Sequence, residues 1–270
     1  MTRRYAVVGN PVRHSLSPWL HRCFARALQY DTVYAAYAPP ADGLGKFAEL
    51  FFAAGGCGLN ITTPFKKDAL DFADIKSDFS KRVKAANVLA HGKDGVCAYN
   101  TDGAGLIADI TGRCETAVCN SKVLLAGAGG GARAAAHALA GQKPALLCIA
   151  NRSADKGGDL AASVGGEYRP FAECTAGFDI IINATACGWA GMAPPLPQSG
   201  FGGAVLAYDM SYGKAAKPFM NLARQAKTVF DGLGMLVEQA ALSYALWESA
   251  RPQTKKIIRE LTDVQKKAVI

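Results

Sequence analysis

The segment that decides the fold is Lys122-Val-Leu-Leu-Ala-Gly-Ala-Gly-Gly-Gly-Ala-Arg133, in which a short apolar run leads directly into a glycine-rich turn. The alanine-rich segment 130–140 overlaps the end of this turn and is predicted to form a helix. In a strand, G-x-G-x-x-A turn and helix, the first glycine permits a tight turn and the second lets the backbone approach a pyrophosphate. The small third residue lets the helix pack on the strand. The segment therefore predicts a dinucleotide-binding unit, and a βα turn without a ligand is the alternative.

Short apolar runs alternate with longer amphipathic segments along the whole chain. The predicted strands are 4–8, 33–37, 58–62, 122–126, 145–150, 178–183 and 204–209. The predicted helices are 18–28, 43–54, 100 to about 110, 130–140, 154–164, 234–249 and 252–267. This alternation predicts an α/β fold with parallel sheets covered on both faces. Boundary signals near 100–120 and near Asp231-Gly-Leu-Gly predict a domain of residues 1–105 and 235–270 around a middle domain of residues 106–234.

Composition excludes several classes of protein. The chain has 270 residues, of which 50% are hydrophobic and 19% charged, so it can bury a core and is not predicted to be disordered. Its 29 glycines have no G-X-Y period, which excludes collagen, and no apolar run reaches the ~18 residues that a membrane helix needs. The net charge of +8 favours anionic ligands without identifying one. A non-enzymatic basic module that binds nucleotides or nucleic acid is a remote alternative.

The cysteine and histidine patterns indicate the cellular compartment and whether the chain binds a metal ion. The eight cysteines include no C-x-x-C pair, and the four histidines show no metal-ligand spacing, so no metal site is predicted. A core of this size does not need disulfides, and reduced thiols indicate a cytoplasmic protein. The N-terminus turns at Gly9, before the apolar region of a signal peptide could form.

The second strand of the middle domain bears on the cofactor. An NAD site usually places an acidic residue here to bind the ribose hydroxyls. The strand instead ends at Ala150 and continues as Asn151-Arg152-Ser153. Arg152 can contact a 2′-phosphate, with help from Ser153 and Lys156, which favours NADP over NAD. The alternatives are that Ser153 only caps a helix, that Arg152 is solvated, and that Asp155 supports an NAD site.

Polar residues also follow the predicted strands of the first domain. Ser17-Pro18 is a typical helix start with Ser17 as N-cap, and the hydroxyls of Ser15 and Ser17 could together hold a carboxylate. Asn60 and Thr62 point to one face of their strand. Lys66 is either a solvated surface group or, if partly buried, a candidate for proton transfer.

Two further polar residues stand near helices. Asp102 opens a predicted helix, where a carboxylate is favoured by the helix dipole, so capping is its simplest interpretation. Gln239 shares a helix face with Met235, Leu242 and Leu246 and must find a partner there. A bound ligand and a backbone carbonyl are equally good candidates for that partner.

A series of motifs, in this order, resembles the shikimate dehydrogenase family over roughly residues 5 to 250. The motifs are Val8-Gly-Asn-Pro with His14-Ser-Leu-Ser-Pro18, Asn60-Ile-Thr-Thr-Pro-Phe-Lys66, Asn100-Thr-Asp-Gly103, Gly127-Ala-Gly-Gly, Asn151-Arg152, Asn183-Ala-Thr185, Asp209-Met-Ser-Tyr212 and Asp231-Gly-Leu-Gly-Met-Leu236 through Gln239. The resemblance implies an NADP-dependent, reversible reduction of 3-dehydroshikimate to shikimate in aromatic amino-acid (chorismate) biosynthesis. It also implies an α/β substrate-binding catalytic domain and a Rossmann-type NADP-binding domain with a cleft between them.

The resemblance assigns roles to individual residues. It implies that Lys66 and Asp102 form the catalytic pair and that Ser15 and Ser17 hold the substrate carboxylate. The residues implied to bind the other substrate oxygens are Thr62, Asn87, Asp102, Tyr212 and Gln239. The residues implied to hold the cofactor are Gly127, Ala128, Gly129, Gly130, Gly131, Asn151, Arg152 and Lys156, with Met210 and Gly232 near the nicotinamide. The expected partner is the small-molecule substrate, with no nucleic acid and no membrane, and the chain is expected to be a monomer or homodimer.

Three departures from the family pattern leave substrate breadth open. Asn87 lacks the usual valine before it and threonine after it, Ala186 and Cys187 replace the more usual serines, and Gly131 stands where alanine is common. A dual quinate/shikimate dehydrogenase and a related enzyme with another substrate are therefore the alternatives.

Overall fold

The computed structural model describes residues 2–13 and 15–267, so His14 of the first motif lies outside the described residues. The chain divides into two compact units: Met1–Thr101 with Gln239–Ile257, and Asp102–Glu238 with Ile258–Ile270. The first two changes of unit lie four residues from the boundaries expected at 105/106 and 234/235. The division differs more at the C-terminus, where residues from 258 onward group with the second unit.

The first unit contains a six-stranded mixed sheet. Its elements are β1 (Arg3–Val8), α1 (Ser17–Leu28), β2 (Thr32–Tyr37), α2 (Leu44–Ala53), β3 (Gly56–Ile61), α3 (Lys66–Phe72), β4 (Ile75–Lys76), α4 (Asp78–Val83), β5 (Val88–Gly92) and β6 (Gly95–Tyr99). The strand order is β2-β1-β3-β5-β6-β4. β1 pairs in parallel with β2 and β3, whereas β5 pairs antiparallel with both β3 and β6.

The antiparallel hairpin of β5 and β6 differs from the expected all-parallel sheet. The two strands are joined at Gly92 and Gly95, which are paired partners, so the connection is only two residues long. A tight connection of this length joins antiparallel strands, whereas parallel strands need a crossover. The Asp94-Gly95 pair in the sequence is a local hairpin signal, whereas the strand–helix alternation on which the parallel sheet was predicted contains no information on such a turn.

The second unit contains a six-stranded sheet in which every pair is parallel. Its elements are α5 (Asp102–Gly112), β7 (Lys122–Ala126), α6 (Gly130–Gly141), β8 (Leu146–Ala150), α7 (Ala154–Val164), β9 (Glu167–Arg169), β10 (Ile180–Asn183), β11 (Leu206–Asp209), α8 (Lys217–Leu222) and β12 (Thr228–Phe230). The strand order β12-β11-β10-β7-β8-β9 reverses direction between β7 and β10. In open parallel sheets, ligands bind at the carboxyl ends of the strands beside such a switch point.

Alternating residues of the second sheet enter two separate hydrophobic clusters. Val123 and Leu125 of β7 pack in one cluster, and Leu124 and Ala126 pack in the other. Because side chains alternate across a strand, both faces of this sheet are covered, as the continuous apolar strands predicted. The α/β fold class is confirmed.

Two C-terminal helices complete the chain, α9 (Leu233–Glu248) and α10 (Lys255–Lys267). α10 begins three residues after the expected start at Pro252, which itself lies in an irregular segment. No helix within residues 2–13 and 15–267 is both long enough and apolar enough to cross a membrane.

Candidate functional site

Ser15 and Ser17 lie close together at the start of α1, in the segment that follows β1. α1 begins at Ser17 itself, and its N-cap is Leu16, which has helical dihedral angles and no side-chain capping bond. The expectation that Ser17 is the N-cap is therefore wrong. The Ser15 hydroxyl instead accepts the Ser17 N–H at 3.2 Å, so the two serines are held next to each other.

The side chains of Asn87 and Gln239 are hydrogen-bonded to each other in the first unit. Thr101 N–H donates to Asn87 Oδ1 at 2.8 Å, and Asn87 Nδ2 donates to Gln239 Oε1 at 3.3 Å. Since a backbone N–H can only donate, the Asn87 oxygen must face Thr101 and its NH₂ group must face Gln239. One partner of the Gln239 side chain is thus the side-chain amide of Asn87. Leu246, on the face expected to be an apolar stripe, is exposed.

The Asn87–Gln239 pair adjoins a buried network of hydrogen-bonded polar side chains. Ser243 Oγ donates to the Gln239 carbonyl at 2.9 Å and accepts from Asn60 Nδ2 at 2.9 Å. The Tyr34 hydroxyl donates to Asn60 Oδ1 at 2.7 Å. The sequence analysis missed Ser243 and Tyr34. Ser243 was the easier to find, because it follows Gln239 by four residues and so shares its helix face.

Lys66 and Thr62 border the same part of the first unit. Lys66 is the first residue of α3 and is half-buried, and its carbonyl accepts the Ala86 N–H at 2.8 Å, next to Asn87 in the chain. Thr62 is half-buried, and any side chain at Gly9 would overlap its methyl group. Asp102 is buried and is the first residue of α5, at the start of the second unit.

The glycine-rich turn lies at the carboxyl end of β7, beside the switch point. Gly127 has φ +114°, and a Cβ there would lie 3.0 Å from the Ala184 carbonyl oxygen, so this position requires glycine. Gly129 and Gly130, at the N-terminus of α6, are exposed, and a Cβ on either would meet no atom within 4 Å. The turn thus leaves open space beside free helix N–H groups, which fits a dinucleotide pyrophosphate. Gly131 is half-buried at the same helix end, and Ala128 packs partly against the core.

The turn after β8 is held by its own hydrogen bonds. Asn151 Nδ2 donates to the Ser153 carbonyl at 2.9 Å, and Ser153 Oγ accepts the Lys156 N–H at 3.4 Å, which confirms Ser153 as the N-cap of α7. The side chains of Arg152 and Lys156 are exposed. Two cations at the carboxyl end of the strand next to β7 fit a phosphate on the ribose.

Met210, in the loop after β11, lies next to both the glycine-rich turn and Gly232 in the loop after β12. A Cβ on Gly131 would lie 3.7 Å from Met210 Cε, and one on Gly232 would overlap the Met210 carbonyl. Gly232 N–H donates to the Ser211 carbonyl at 2.8 Å. Three of the predicted cofactor residues therefore meet in the second unit. Tyr212 follows on the same loop and is half-buried.

Asp209, at the end of β11, is a buried acid that the sequence analysis did not single out. Its carboxylate accepts Asn183 Nδ2 at 2.8 Å and the Ser211 N–H at 2.7 Å. Burial raises the pKa of Asp209 to about 6, against the opposing effect of these two bonds, and the charge of Asp231 adds to the rise.

Metal ligands do not cluster in the described part of the chain. Within residues 2–13 and 15–267, no group of three or more histidine, cysteine, aspartate or glutamate side chains could hold a metal ion.

Three family models match successive parts of the chain. Residues 7–89 match the shikimate dehydrogenase substrate binding domain, residues 110–189 match shikimate / quinate 5-dehydrogenase, and residues 232–262 match the shikimate 5′-dehydrogenase C-terminal domain. These segments cover most of the elements that carry the residues described above.

Individual proteins are similar over almost the whole chain. The shikimate dehydrogenase (NADP(+)) of Dechloromonas aromatica is 45% identical, over 97% of this chain and 98% of that protein. The crystal structure of an Ael1 enzyme from Pseudomonas putida superposes with a TM-score of 0.91 at 39% identity, covering 96% of this chain and 98% of that one. Shikimate 5-dehydrogenase from Thermus thermophilus, in complex with NADP(H) and shikimate, has a TM-score of 0.86 at 28% identity, with 95% and 97% covered. Because this similarity extends through both units, the chain belongs to the shikimate dehydrogenase family.

Proposed function

We propose that the protein is an NADP-dependent shikimate dehydrogenase, an oxidoreductase that reversibly reduces 3-dehydroshikimate to shikimate in aromatic amino-acid biosynthesis. The observation that carries the proposal is the 45% identity, over 98% of its length, to a relative named for this activity. The matched region spans both units, including the segments that carry the polar network and the glycine-rich turn.

The second unit supplies the cofactor residues in this proposal. NADPH, when bound, supplies the hydride that reduces the substrate carbonyl. Residues 127–131 would hold the pyrophosphate, since their open turn at the N-terminus of α6 offers N–H donors. Arg152, Ser153 and Lys156 bind the 2′-phosphate, with Asn151 shaping their turn. Met210 and Gly232 would lie on the nicotinamide side of the cofactor.

The substrate residues come mainly from the first unit. Ser15 and Ser17 bind the carboxylate through their hydroxyls, and the bond from the Ser17 N–H to the Ser15 hydroxyl supports this pairing because it holds the two residues together. The ring oxygens are bound by Thr62, Asn87, Asp102, Tyr212 and Gln239. The Asn87 amide is oriented by Thr101, so Gln239 turns its carbonyl oxygen toward Asn87.

Lys66 moves the proton that accompanies hydride transfer. In the reduction, its ammonium group donates a proton to the carbonyl oxygen, which becomes a hydroxyl, and in the oxidation the amine takes it back. Asp102 accepts a hydrogen bond from a substrate hydroxyl and so holds the ring for the transfer.

Compartment and assembly complete the proposal. We place the enzyme in the cytoplasm, because none of the eight cysteines forms a disulfide in the described part of the chain. We propose a monomer or homodimer, which light scattering distinguishes.

Initial rates with shikimate and with quinate, each against NADP⁺ and NAD⁺, test the proposed reaction. Shikimate with NADP⁺ is expected to give the highest kcat/KM of the four pairs. A higher value with quinate would assign the dual-specificity alternative. No reduction of either cofactor with either substrate would reject the dehydrogenase proposal.

A further inference from the structure

Asp231 joins the two loops that follow β11 and β12. Its Oδ2 accepts the Gly213 N–H of the first loop at 3.2 Å, and its Oδ1 accepts the Leu233 N–H at 3.3 Å, where the second loop meets the start of α9. Gly232 N–H donates to the Ser211 carbonyl at 2.8 Å and adds a third bond. We call these five residues the Asp231 junction. Each carboxylate oxygen of Asp231 thus accepts a hydrogen bond from a different segment of the chain.

A partly buried ion pair between Arg113 and Asp109 also holds the junction, through the Asp231 backbone. Arg113 Nη2 donates to the Asp231 carbonyl at 2.7 Å, and the same guanidinium binds Asp109 through bonds of 2.8 and 2.6 Å. The Asp109 side chain is fully buried and also accepts the Tyr208 hydroxyl at 2.7 Å. Arg113 lies 4.9 Å from the centre of the Phe230 ring. The start of the second loop is thereby attached to α5 and β11.

The joined loops carry Met210, Tyr212 and Gly232, three residues of the proposed site. Gly232 has no room for a side chain because the Met210 carbonyl is against it, and Met210 in turn lies beside Gly131. A displacement of either loop would therefore move Met210 and change its packing beside Gly131 in the glycine-rich turn. The charge of Asp231 also reaches Tyr212: burial first, and then this charge, raise the pKa of the phenol, which stays protonated as a hydrogen-bond donor.

We propose that Asp231 is a positioning residue for hydride transfer, because its carboxylate fixes the two loops that carry Met210, Tyr212 and Gly232. The inference rests on the proposed function, since it assigns these loops to the reacting ends of cofactor and substrate. A carboxylate can accept on both oxygens, whereas an amide of nearly the same shape can accept on only one. In Asp231→Asn, one of the two N–H groups must face an NH₂ group, and that loop segment must move.

The test compares Asp231→Asn with Asp179→Asn. Asp179 also accepts a backbone N–H, that of Lys122 at 2.7 Å, but at the amino ends of the strands of the same sheet. The measurement is the single-turnover rate constant for oxidation of bound NADPH by 3-dehydroshikimate, followed by stopped-flow absorbance. This constant does not depend on the fraction of folded enzyme, so a purely structural defect lowers only the amplitude.

Asp231→Asn is expected to lower this rate constant roughly 10-fold or more, since small displacements of reacting groups are costly to rate. Asp179→Asn is expected to keep the wild-type rate constant. A wild-type rate constant in Asp231→Asn overturns the inference while leaving the proposed function intact. A wild-type protein that turns over neither shikimate nor 3-dehydroshikimate overturns the proposed function instead.

Arg113→Lys is the second variant, for use if Asp231→Asn does not fold. A lysine ammonium can pair with Asp109, but it lacks the planar fork that also reaches the Asp231 carbonyl. The rate constant is expected to fall in this variant too. A wild-type value in Arg113→Lys would overturn the role of the junction.

Discussion

Lys66 is the residue on which the proposed chemistry depends most directly. Its neighbour Lys67 provides a matched control, because that ammonium group is exposed and pairs with Asp71 at 2.7 Å. The two lysines start the same helix, α3, so removing either charge perturbs the helix N-terminus in a similar way.

Lys66→Ala is expected to lower kcat by roughly 10²–10⁴-fold, the usual effect of removing a general acid–base group. KM for shikimate should change far less, because the substrate contacts of Asn87 and Gln239 remain. Steady-state kinetics with shikimate and NADP⁺ measure both constants, and Lys67→Ala should leave both near the wild-type values. A kcat in Lys66→Ala equal to that of wild type would remove Lys66 from the mechanism.

Asp209 makes a second prediction at the residue scale, concerning pH. Its pKa is about 6 in the fold and near 3.8 when unperturbed, so the folded chain binds this proton more tightly than the unfolded chain. The resulting stability is complete below pH ~4 and is lost as the pH rises through about 6, a difference of about 1–3 kcal/mol. Carboxyl ¹³C NMR should place the Asp209 titration near pH 6. Asp209→Asn should abolish that part of the pH dependence of unfolding, and a midpoint near pH 4 would contradict the prediction.

The β8–α7 turn is an element whose local sequence bears on cofactor choice. The internal hydrogen bonds of Asn151 and Ser153 shape the turn and leave Arg152 and Lys156 exposed at its surface. Recognition of a 2′-phosphate by Arg152 requires only that the guanidinium be free to approach it, and a charge-assisted bond of this kind contributes about 1.5–3 kcal/mol.

Arg152→Ala is therefore expected to raise KM for NADPH roughly 10-fold or more while leaving residual activity with NADH unchanged. Arg224, which is exposed and bonded to Asn221 in the same unit, is the control: Arg224→Ala should affect neither cofactor. Equal losses with NADPH and NADH in Arg152→Ala would show that this residue does not read the phosphate.

Helix α7, which follows this turn, contains two adjacent glycines with different surroundings. A Cβ on Gly157 would lie 2.6 Å from the Tyr168 ring, whose hydroxyl donates to the Asn151 carbonyl at 3.2 Å. A Cβ on Gly158 would meet no atom within 4 Å. An alanine at Gly158 therefore tests helix propensity alone, whereas an alanine at Gly157 also tests packing against Tyr168.

Gly158→Ala is expected to stabilise the protein by up to ~1 kcal/mol, because alanine is a better helix former than glycine. Gly157→Ala should destabilise it by about 1–3 kcal/mol, because the Tyr168 ring must move. Chemical denaturation of both variants measures the difference. Equal stabilities would mean that Tyr168 yields without cost.

For the whole molecule, the division into two units predicts where each ligand acts. NADP⁺ binds residues of the second unit in our proposal, whereas shikimate binds mainly residues of the first. A ligand at 100 times its Kd should stabilise the fold by about 2.7 kcal/mol.

Hydrogen exchange measured by mass spectrometry should separate the two effects. NADP⁺ is expected to protect peptides that contain residues 127–131 and 151–156, and shikimate to protect those that contain Asn87 and Gln239. Peptides from the amino ends of the second sheet, such as residues 116–121, serve as the unaffected control. Shikimate protection that leaves the Asn87 and Gln239 peptides unchanged would contradict the proposed substrate site.

Local sequence was sufficient for the elements and the phosphate-binding turn. The β7–α6 turn could be read directly, because a tight turn, a close backbone approach and a helix start each demand particular residue types within a few positions. The alternation of apolar runs likewise predicted the covered parallel sheet of the second unit. These properties depend on residues that are neighbours in the chain.

Tertiary structure alone decided which polar groups meet. Gln239 bonds to Asn87, which precedes it by 152 residues, and Asp231 bonds to Gly213 across 18 residues. No pattern of period 2 or 3.6 encodes such pairs, because they arise only when strands and helices are assembled around a shared core. The place of the β5–β6 hairpin in the sheet was decided at that level too, since β5 pairs with β3 as well as with β6, across the Lys93-Asp94 turn. Sequence motifs thus determined most helices and strands, the phosphate-binding turn and the family to which the chain belongs. The tertiary structure determined the contacts that orient the side chains of the proposed site.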